Sequence, residues 1–268
     1  MVEKTKTFEW NPAAYASNAS FVPQLGAPIL NILSPKQGER IFDIGCGDAI
    51  LTSKIANAGA TVIGTDASPD MIAQARIVHP EGEYHVLDGH ALVTTAWAQD
   101  PDTEKFDAVF SNAALHWMKA DPSKVASGIR SILKPAGKGR FVAEFGGFLN
   151  CASVHACLIN ALSRRGHDGK SLSPWYFPSP DEYRDILDKN GFTEIKIQYI
   201  PRPTILPASG LKGWLDTFAM SFMDALDSDE EREAVKREIV EELRPVLCDF
   251  RGNWTLEYWR LRIEAVTL

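Results

Sequence analysis

Asp43, Gly45, Gly47 and Asp66 stand in the stretch "FDIGCGDAILTSKIANAGATVIGTD", spaced as a nucleotide-binding turn requires. A glycine-rich turn directly after an apolar run lets backbone N–H groups approach a ligand with no Cβ in the way. An acid about twenty residues further on can accept both hydroxyls of a ribose, two acceptor oxygens against two O–H donors, and would repel a 2′-phosphate. The dinucleotide fingerprint G-x-G-x-x-G asks for a third glycine where this chain has Ile50, whose branched side chain obstructs approach to a pyrophosphate. Asp66 has a structural reading too, as a cap on the following helix, but Ser68 already fills that place.

Read as D-x-G-x-G-x-G over Asp43, Gly45, Gly47 and Ala49, the turn resembles motif I of the class I S-adenosylmethionine-dependent methyltransferases. The resemblance implies that Asp43 helps hold the cofactor's amino-acid end and that Gly45, Cys46 and Gly47 pass beneath its carboxypropyl chain. The family usually has glycine where Ala49 stands. By position, the resemblance also puts Ala67 and Met71 near the adenine, Asp88 at its exocyclic amine and Gly89 and His90 on it through their backbone. Ser111 and Asn112, at the end of the fourth strand, complete the implied cofactor set. For Met71, core packing is the competing reading.

"VFSNAALHWM" (Val109–Met118) is similar to the methyl-facing loop of trans-aconitate and malonyl-carrier-protein methyltransferases, which esterify a carboxylate. "WNPAAY" (Trp10–Tyr15) is similar to the aromatic segment that folds over the cofactor in the aconitate enzymes, and the likeness extends from about Trp10 to Gly147. It implies a small-molecule acceptor, with a trans-aconitate-like acid as the leading expectation and S-adenosylhomocysteine as product. Methyl transfer from a sulfonium is an in-line displacement, accelerated mainly by proximity and orientation. A carboxylate acceptor is already ionised and needs no base, whereas a phenol, amine or carbon acceptor needs a proton removed, most often by histidine.

His116 and Tyr15 are the candidate catalytic residues. His116 is either a base, a hydrogen-bonding partner of the substrate or a structural histidine. Tyr15 can lie over a sulfonium, whose charge suits an aromatic face. Trp117, Trp175 and Trp214 join them as candidate substrate contacts, with Tyr176, Phe177 and Phe218 as further apolar surface and His155 and His167 as looser candidates. Arg164, Arg165 and Arg202 are the candidate anion ligands, since guanidinium matches carboxylate bidentately. A chain that binds the cofactor and transfers nothing is the reading from another class, and Ala49 is the feature that favours it.

These residues need a scaffold. From Glu39 the chain alternates β-branched or aromatic runs with helical patterns: strands at 40–44, 61–65, 84–88, 106–111 and 139–145, and helices after Ala49, Ser68 and Asp121. The alternation predicts an α/β fold with a doubly wound, mostly parallel seven-stranded sheet. Beyond Gly147 the rhythm breaks. Helical patterns run over 148–165, 209–226 and after Ser228, the capping box Ser179-Pro180-Asp181-Glu182 opens another helix, and strands follow at 192–200 and 254–266. We therefore expect one methyltransferase domain: lid helices over 1–38, a cofactor-binding core over 39–147, helical cap inserts at 148–180 and 203–250, and the remaining core at 181–202 and 251–268.

Bulk properties bound the function. In 268 residues, 45% hydrophobic and 24% charged, the composition is that of a globular protein. A net charge of −7 offers no basic footprint for nucleic acid or an anionic membrane, so neither is an expected partner. Cys46, Cys151, Cys157 and Cys248 form no CxxC pair and no metal-ligand spacing, which predicts free thiols and no metal. "MVEKTKTFEW" lacks a signal-peptide core, and the expected state is a cytoplasmic monomer or homodimer.

Overall fold

The computed structural model describes residues 10–19 and 21–268; the stretch before Trp10, read above as lacking a signal-peptide core, and Ser20 lie outside the described residues. Three short helices, α1 (Pro12–Asn18), α2 (Phe21–Gln24) and α3 (Ala27–Leu33), precede the first strand. Asn11 caps α1, its Oδ1 accepting the Ala14 N–H at 3.0 Å, and Pro12 sits in the first turn, where a missing N–H costs nothing.

The alternating half follows: β1 (Arg40–Ile44), α4 (Ile50–Asn57), β2 (Thr61–Asp66), α5 (Pro69–Val78) and β3 (Glu83–Val86), then α6 (Ala96–Gln99), β4 (Ala108–Asn112), α7 (Pro122–Ile132) and β5 (Arg140–Gly146). Ser68 and Asp121 cap α5 and α7 by accepting the backbone N–H of Met71 and Lys124. These strands pair in parallel in the order β3-β2-β1-β4-β5.

The remaining elements are α8 (Ala152–Arg164), α9 (Pro180–Lys189), β6 (Phe192–Ile205), α10 (Gly210–Phe218), α11 (Met220–Met223), α12 (Asp229–Leu247) and β7 (Thr255–Thr267). β7 inserts between β5 and β6 and runs antiparallel to both. The seven-stranded sheet is thus mixed, which corrects the expectation of a mostly parallel one. The reason is local: the excursion from Leu206 to Trp254 leaves and re-enters the sheet at one end, closed by the Leu206 N–H on the Trp254 carbonyl at 2.8 Å. A strand returning from that end must oppose the one that left.

Three boundaries also move. The helix expected from Phe148 begins at Ala152, because Leu149 (φ 63) and Cys151 (φ 51) are left-handed. The pattern over 209–226 breaks at Ala219 into α10 and α11. β6 continues through Pro201 and Pro203, residues tolerated on an edge strand because no outer neighbour needs their N–H.

Alternation along β1 sends Phe42 and Ile44 to one face of the sheet, with Val125 and Ile129 of α7, and Ile41 to the other, with Ile29 of α3 and Ile55 of α4. A third apolar cluster joins α8, α10, α11 and α12 to Leu256 and Tyr258 of β7. No described helix is long and apolar enough to cross a membrane.

The antiparallel edge is fastened by charge. Glu144 on β5, 2% exposed, accepts Arg262 Nη2 at 2.7 Å on Oε2 and Arg202 Nη1 at 2.6 Å on Oε1. Removing the shared carboxylate strands two cations. Glu144→Ala should therefore lower unfolding stability in urea by about 3–5 kcal/mol. A loss below about 1 kcal/mol, typical of exposed pairs, would contradict the assignment.

Candidate active site

The turn joining β1 to α4 is built on three left-handed residues, Gly45 (φ 74), Gly47 (φ 55) and Ala49 (φ 63). A Cβ on Gly45 would fall 2.1 Å from Ala114 Cβ, so only glycine lets the loop after β4 close on the turn. A Cβ on Gly47 would meet nothing within 4 Å, leaving a bare cradle. Ala49 adopts the shape usually given to glycine at a cost of about 1–2 kcal/mol. Its methyl is fully buried against Ile72, Ala75 and Tyr84, which offsets part of that cost.

Asp66, at the end of β2, ties the turn down. Its Oδ2 accepts the Gly47 N–H at 3.1 Å and its Oδ1 the Ser68 N–H at 2.9 Å. Each carboxylate oxygen keeps a free lone pair. Burial pushes the Asp66 pKa up against the pull of those two N–H bonds. The Gly45 and Cys46 N–H groups both donate to the Thr65 carbonyl, at 2.7 and 2.9 Å.

A cavity of about 730 Å³ opens over the carboxyl ends of β1, β2 and β4. Gly45, Gly47, Asp66, Ala67, Met71 and Asn112 line one end of it, together with Asp88, Gly89 and His90. Asp88 Oδ1 accepts both the His90 N–H at 2.9 Å and His90 Nδ1 at 2.7 Å, and His90 Nε2 accepts the Asp121 N–H at 3.3 Å. That pattern puts the neutral ring's proton on Nδ1; the Asp88 contact raises the His90 pKa and lowers its own.

Asp43 and Cys46 line a smaller adjoining cavity of about 50 Å³, shared with Tyr15, Asp48 and Asn112. Asp43 accepts the Thr52 hydroxyl at 2.6 Å, and burial pushes its pKa up to about 7. Ser111 differs from its neighbours: it is fully buried in β4, donates its hydroxyl to the Ile44 carbonyl at 2.8 Å, and lines neither cavity. Its side chain serves the sheet, so Ser111 drops out of the candidate cofactor set.

The other end of the large cavity is aromatic. Tyr15, Trp117, Trp175 and Trp214 line it as expected, with Phe177 and Phe218. Trp10 stands edge-on to Trp117 at 5.1 Å and to Tyr15 at 5.6 Å, and Trp175 stacks on Phe177 at 5.8 Å. Tyr15 is held neutral: burial, then Asp48 and Asp66, raise its pKa, while Arg260 opposes them. His116 also lines the cavity, between the rings of Trp117 and Phe177. Its Nδ1 accepts the Gly146 N–H at 3.4 Å, which assigns the neutral ring's proton to Nε2. Burial, and then Arg260, push its pKa well below the usual histidine range.

The three candidate anion ligands lie elsewhere. Arg164 and Arg165 pair with Glu238, Arg165 Nη2 at 2.7 Å, and Arg202 pairs with Glu144. Tyr176, His155 and His167 do not line the cavity either: Tyr176 donates to Glu182 at 2.9 Å, and His155 packs edge-on to Trp175 at 5.1 Å. The buried cation at the cavity wall is Arg260, which sequence reasoning missed. It is 7% exposed, lies 4.7 Å over the Tyr258 ring, and has no carboxylate within ion-pairing distance among the described residues. Burial lowers its pKa. Trp214 Nε1 donates to the Tyr258 hydroxyl at 2.6 Å, so the ring beneath the guanidinium is itself anchored. A signal was present in "WTLEYWRLRIEAV": Tyr258, Arg260 and Arg262 recur every second residue in a strand otherwise fit for a core.

A family described as a methyltransferase domain matches residues 42–141. An uncharacterized methyltransferase of Schizosaccharomyces pombe is 36% identical over 262 residues, covering 96% of this chain and 97% of that protein. A trans-aconitate 2-methyltransferase of Delftia acidovorans is 32% identical over 112 residues, 41% of this chain and 40% of that one. Among solved structures, a Haemonchus contortus phosphoethanolamine N-methyltransferase 2, in complex with phosphomonomethylethanolamine and S-adenosylhomocysteine, has a similar fold. Its TM-score is 0.56 at 20% identity, with 96% of this chain and 56% of that chain covered. With a relative matched from end to end and the glycine turn in place, the chain belongs to the S-adenosylmethionine-dependent methyltransferases.

Proposed function

We propose that this enzyme transfers a methyl group to a carboxylate oxygen of a small acceptor. The observation that carries the reading is Arg260, a buried guanidinium at the cavity wall with no carboxylate within ion-pairing distance among the described residues. A buried cation without a partner is costly, and an anionic ligand supplies the partner. A cationic amine acceptor would meet repulsion at the same place.

The residues present fit the cofactor. Gly47 leaves its cradle bare, Asp66 keeps a free lone pair on each oxygen for two ribose hydroxyls, and Ala67, Met71 and Asp88 border the space for the adenine. Asp43, Cys46 and Asn112 border the annex assigned to the amino-acid end. When bound, S-adenosylmethionine supplies an electrophilic methyl that a carboxylate oxygen takes as the carbon–sulfur bond breaks, with no proton to remove. Tyr15 and Trp10 enclose the transfer point and exclude water. His116, low in basicity and protonated on Nε2, serves as a hydrogen-bond donor that orients the acceptor, which weighs against the alternative of a phenol, amine or carbon acceptor deprotonated by His116. The helices α8 and α10–α12, with α1, are assigned the role of cap and lid over this acceptor end. A trans-aconitate-like acid carries three carboxylates, so the proposal is kept here to the carboxylate itself.

Three outcomes are expected. Asp66→Ala should raise the calorimetric Kd for S-adenosylhomocysteine about 10- to 100-fold, the range for hydrogen bonds to a charged group; unchanged affinity would make Asp66 structural. With methyl-labelled cofactor, the product formed from a mixed pool of acids, phenols and amines should release its label as methanol in mild base, as esters do. Label that resists base would point to an ether, amine or carbon product and overturn the reading. Because the folded-state pKa of His116 is depressed, the ring stays neutral through the ordinary histidine range, and any limb of kcat between about pH 6 and 8 should come from Asp43 or His90 and persist in His116→Gln. A limb near the unperturbed histidine value of about 6.5 that His116→Gln removes would contradict this.

A further inference from the structure

The polar inventory of the acceptor end is short. Besides Arg260, Lys119 is the one lysine or arginine lining the cavity among the described residues; it is exposed, and its Nζ donates to the Ser173 carbonyl at 2.7 Å. The two carboxylates that line the cavity, Asp66 and Asp88, belong to the cofactor end. The other polar residues at that end, Asn150, Ser171, Ser173, Ser221 and the neutral His116, carry no charge, and the rest of the acceptor wall is flat and apolar. Trp175 and Phe177 stack at an interplanar angle of 17°, and Trp117 and Phe218 at 25°. Trp214 presents carbon to the cavity, because its indole N–H is already donated to Tyr258. The whole cavity of about 730 Å³ must hold the cofactor as well, which leaves room only for a compact acceptor.

We infer that the acceptor is a compact monocarboxylic acid with a flat apolar body, aromatic or conjugated, its single carboxylate on Arg260 and its body between the indole and phenyl faces. The inference rests on the carboxylate reading above and narrows it. One buried cation neutralises one carboxylate. A second or third carboxylate on the acceptor would be enclosed among aromatic rings with no buried counter-charge, a penalty that an ionised group avoids by staying in water. The aromatic faces, in turn, gain by covering an apolar body and lose by facing a hydrated one. The residues that select the acceptor are thus Arg260 for charge and Trp175, Phe177, Trp214 and Phe218 for shape.

The test is methyl transfer by the full chain with S-adenosylmethionine to trans-cinnamate, trans-aconitate, cinnamyl alcohol and tyramine, each compared by kcat/KM. The inference expects trans-cinnamate to exceed trans-aconitate by roughly tenfold or more, because only one carboxylate finds a buried cation. Arg260→Met should abolish cinnamate turnover while S-adenosylhomocysteine binding stays within about twofold, the control that the cofactor end is intact. Arg260→Lys should retain part of the activity, as a point charge replaces a fork. Trans-aconitate equal to or better than cinnamate would overturn the inference and leave the carboxylate reading standing. Methylation of tyramine or cinnamyl alcohol, with neither acid reacting, would overturn both. Absence of cinnamate turnover, whatever else reacts, would also overturn the inference.

Discussion

A guanidinium enclosed by protein, with no carboxylate in ion-pairing distance among the described residues, is the constraint around which the proposed acceptor end is organised. Removing such a charge from water costs several kcal/mol, more than the roughly 2 kcal/mol a desolvated ring face returns. Arg260 is nevertheless fixed in place, because β7 alternates. Tyr258, Arg260 and Arg262 share one face, and β7 pairs rigidly with β5 and β6 on either side. Glu144 is close enough to act on Arg260 electrostatically, but its two oxygens are engaged by Arg202 and Arg262. The sheet therefore holds two arginines in a structural clamp and leaves the third facing the cavity.

The cofactor end follows a different logic, in which the backbone does the holding and Asp66 organises it. Three left-handed residues in five positions curl the chain so that Gly47 presents bare backbone, and the Asp66 carboxylate pins that curl through the Gly47 N–H while its other oxygen accepts the Ser68 N–H. The charges of the two ends are opposite: Asp66 and Asp88 at one, Arg260 at the other. Tyr15 feels both, its neutral phenol lying within electrostatic reach of Asp66 and of Arg260. That arrangement suits a cationic sulfonium facing one way and an anionic acceptor the other.

Much of the cofactor end was legible in the sequence because it is local. The turn, its acid and the caps at Ser68 and Asp121 each depend on residues within a few positions of one another, and the alternation of apolar runs placed each strand's start within two residues. Asp66 was legible for the same reason, since one strand–helix–strand unit sets its distance from the turn. Ser111 was misplaced because a strand-end hydroxyl can turn toward the ligand or toward the neighbouring strand, and only the pairing with β1 decides. The acceptor end was less legible because it is assembled from afar. Arg164, Arg165 and Arg202 looked available until the carboxylates that engage them, Glu238 and Glu144, were brought across 58 to 74 positions of sequence by folding. The antiparallel return of β7 was hidden for the same reason: strand direction is set by where an excursion closes, here Leu206 on Trp254, and not by the pattern of either strand.

The most direct measurement is a calorimetric titration of the protein, loaded with S-adenosylhomocysteine, with trans-cinnamate and with its neutral isostere cinnamamide. If Arg260 is the acceptor's charge partner, the acid should bind at least roughly tenfold more tightly than the amide, the worth of a charge-assisted hydrogen bond, and Arg260→Met should erase the difference. Equal affinity of acid and amide for the unaltered protein would contradict the account.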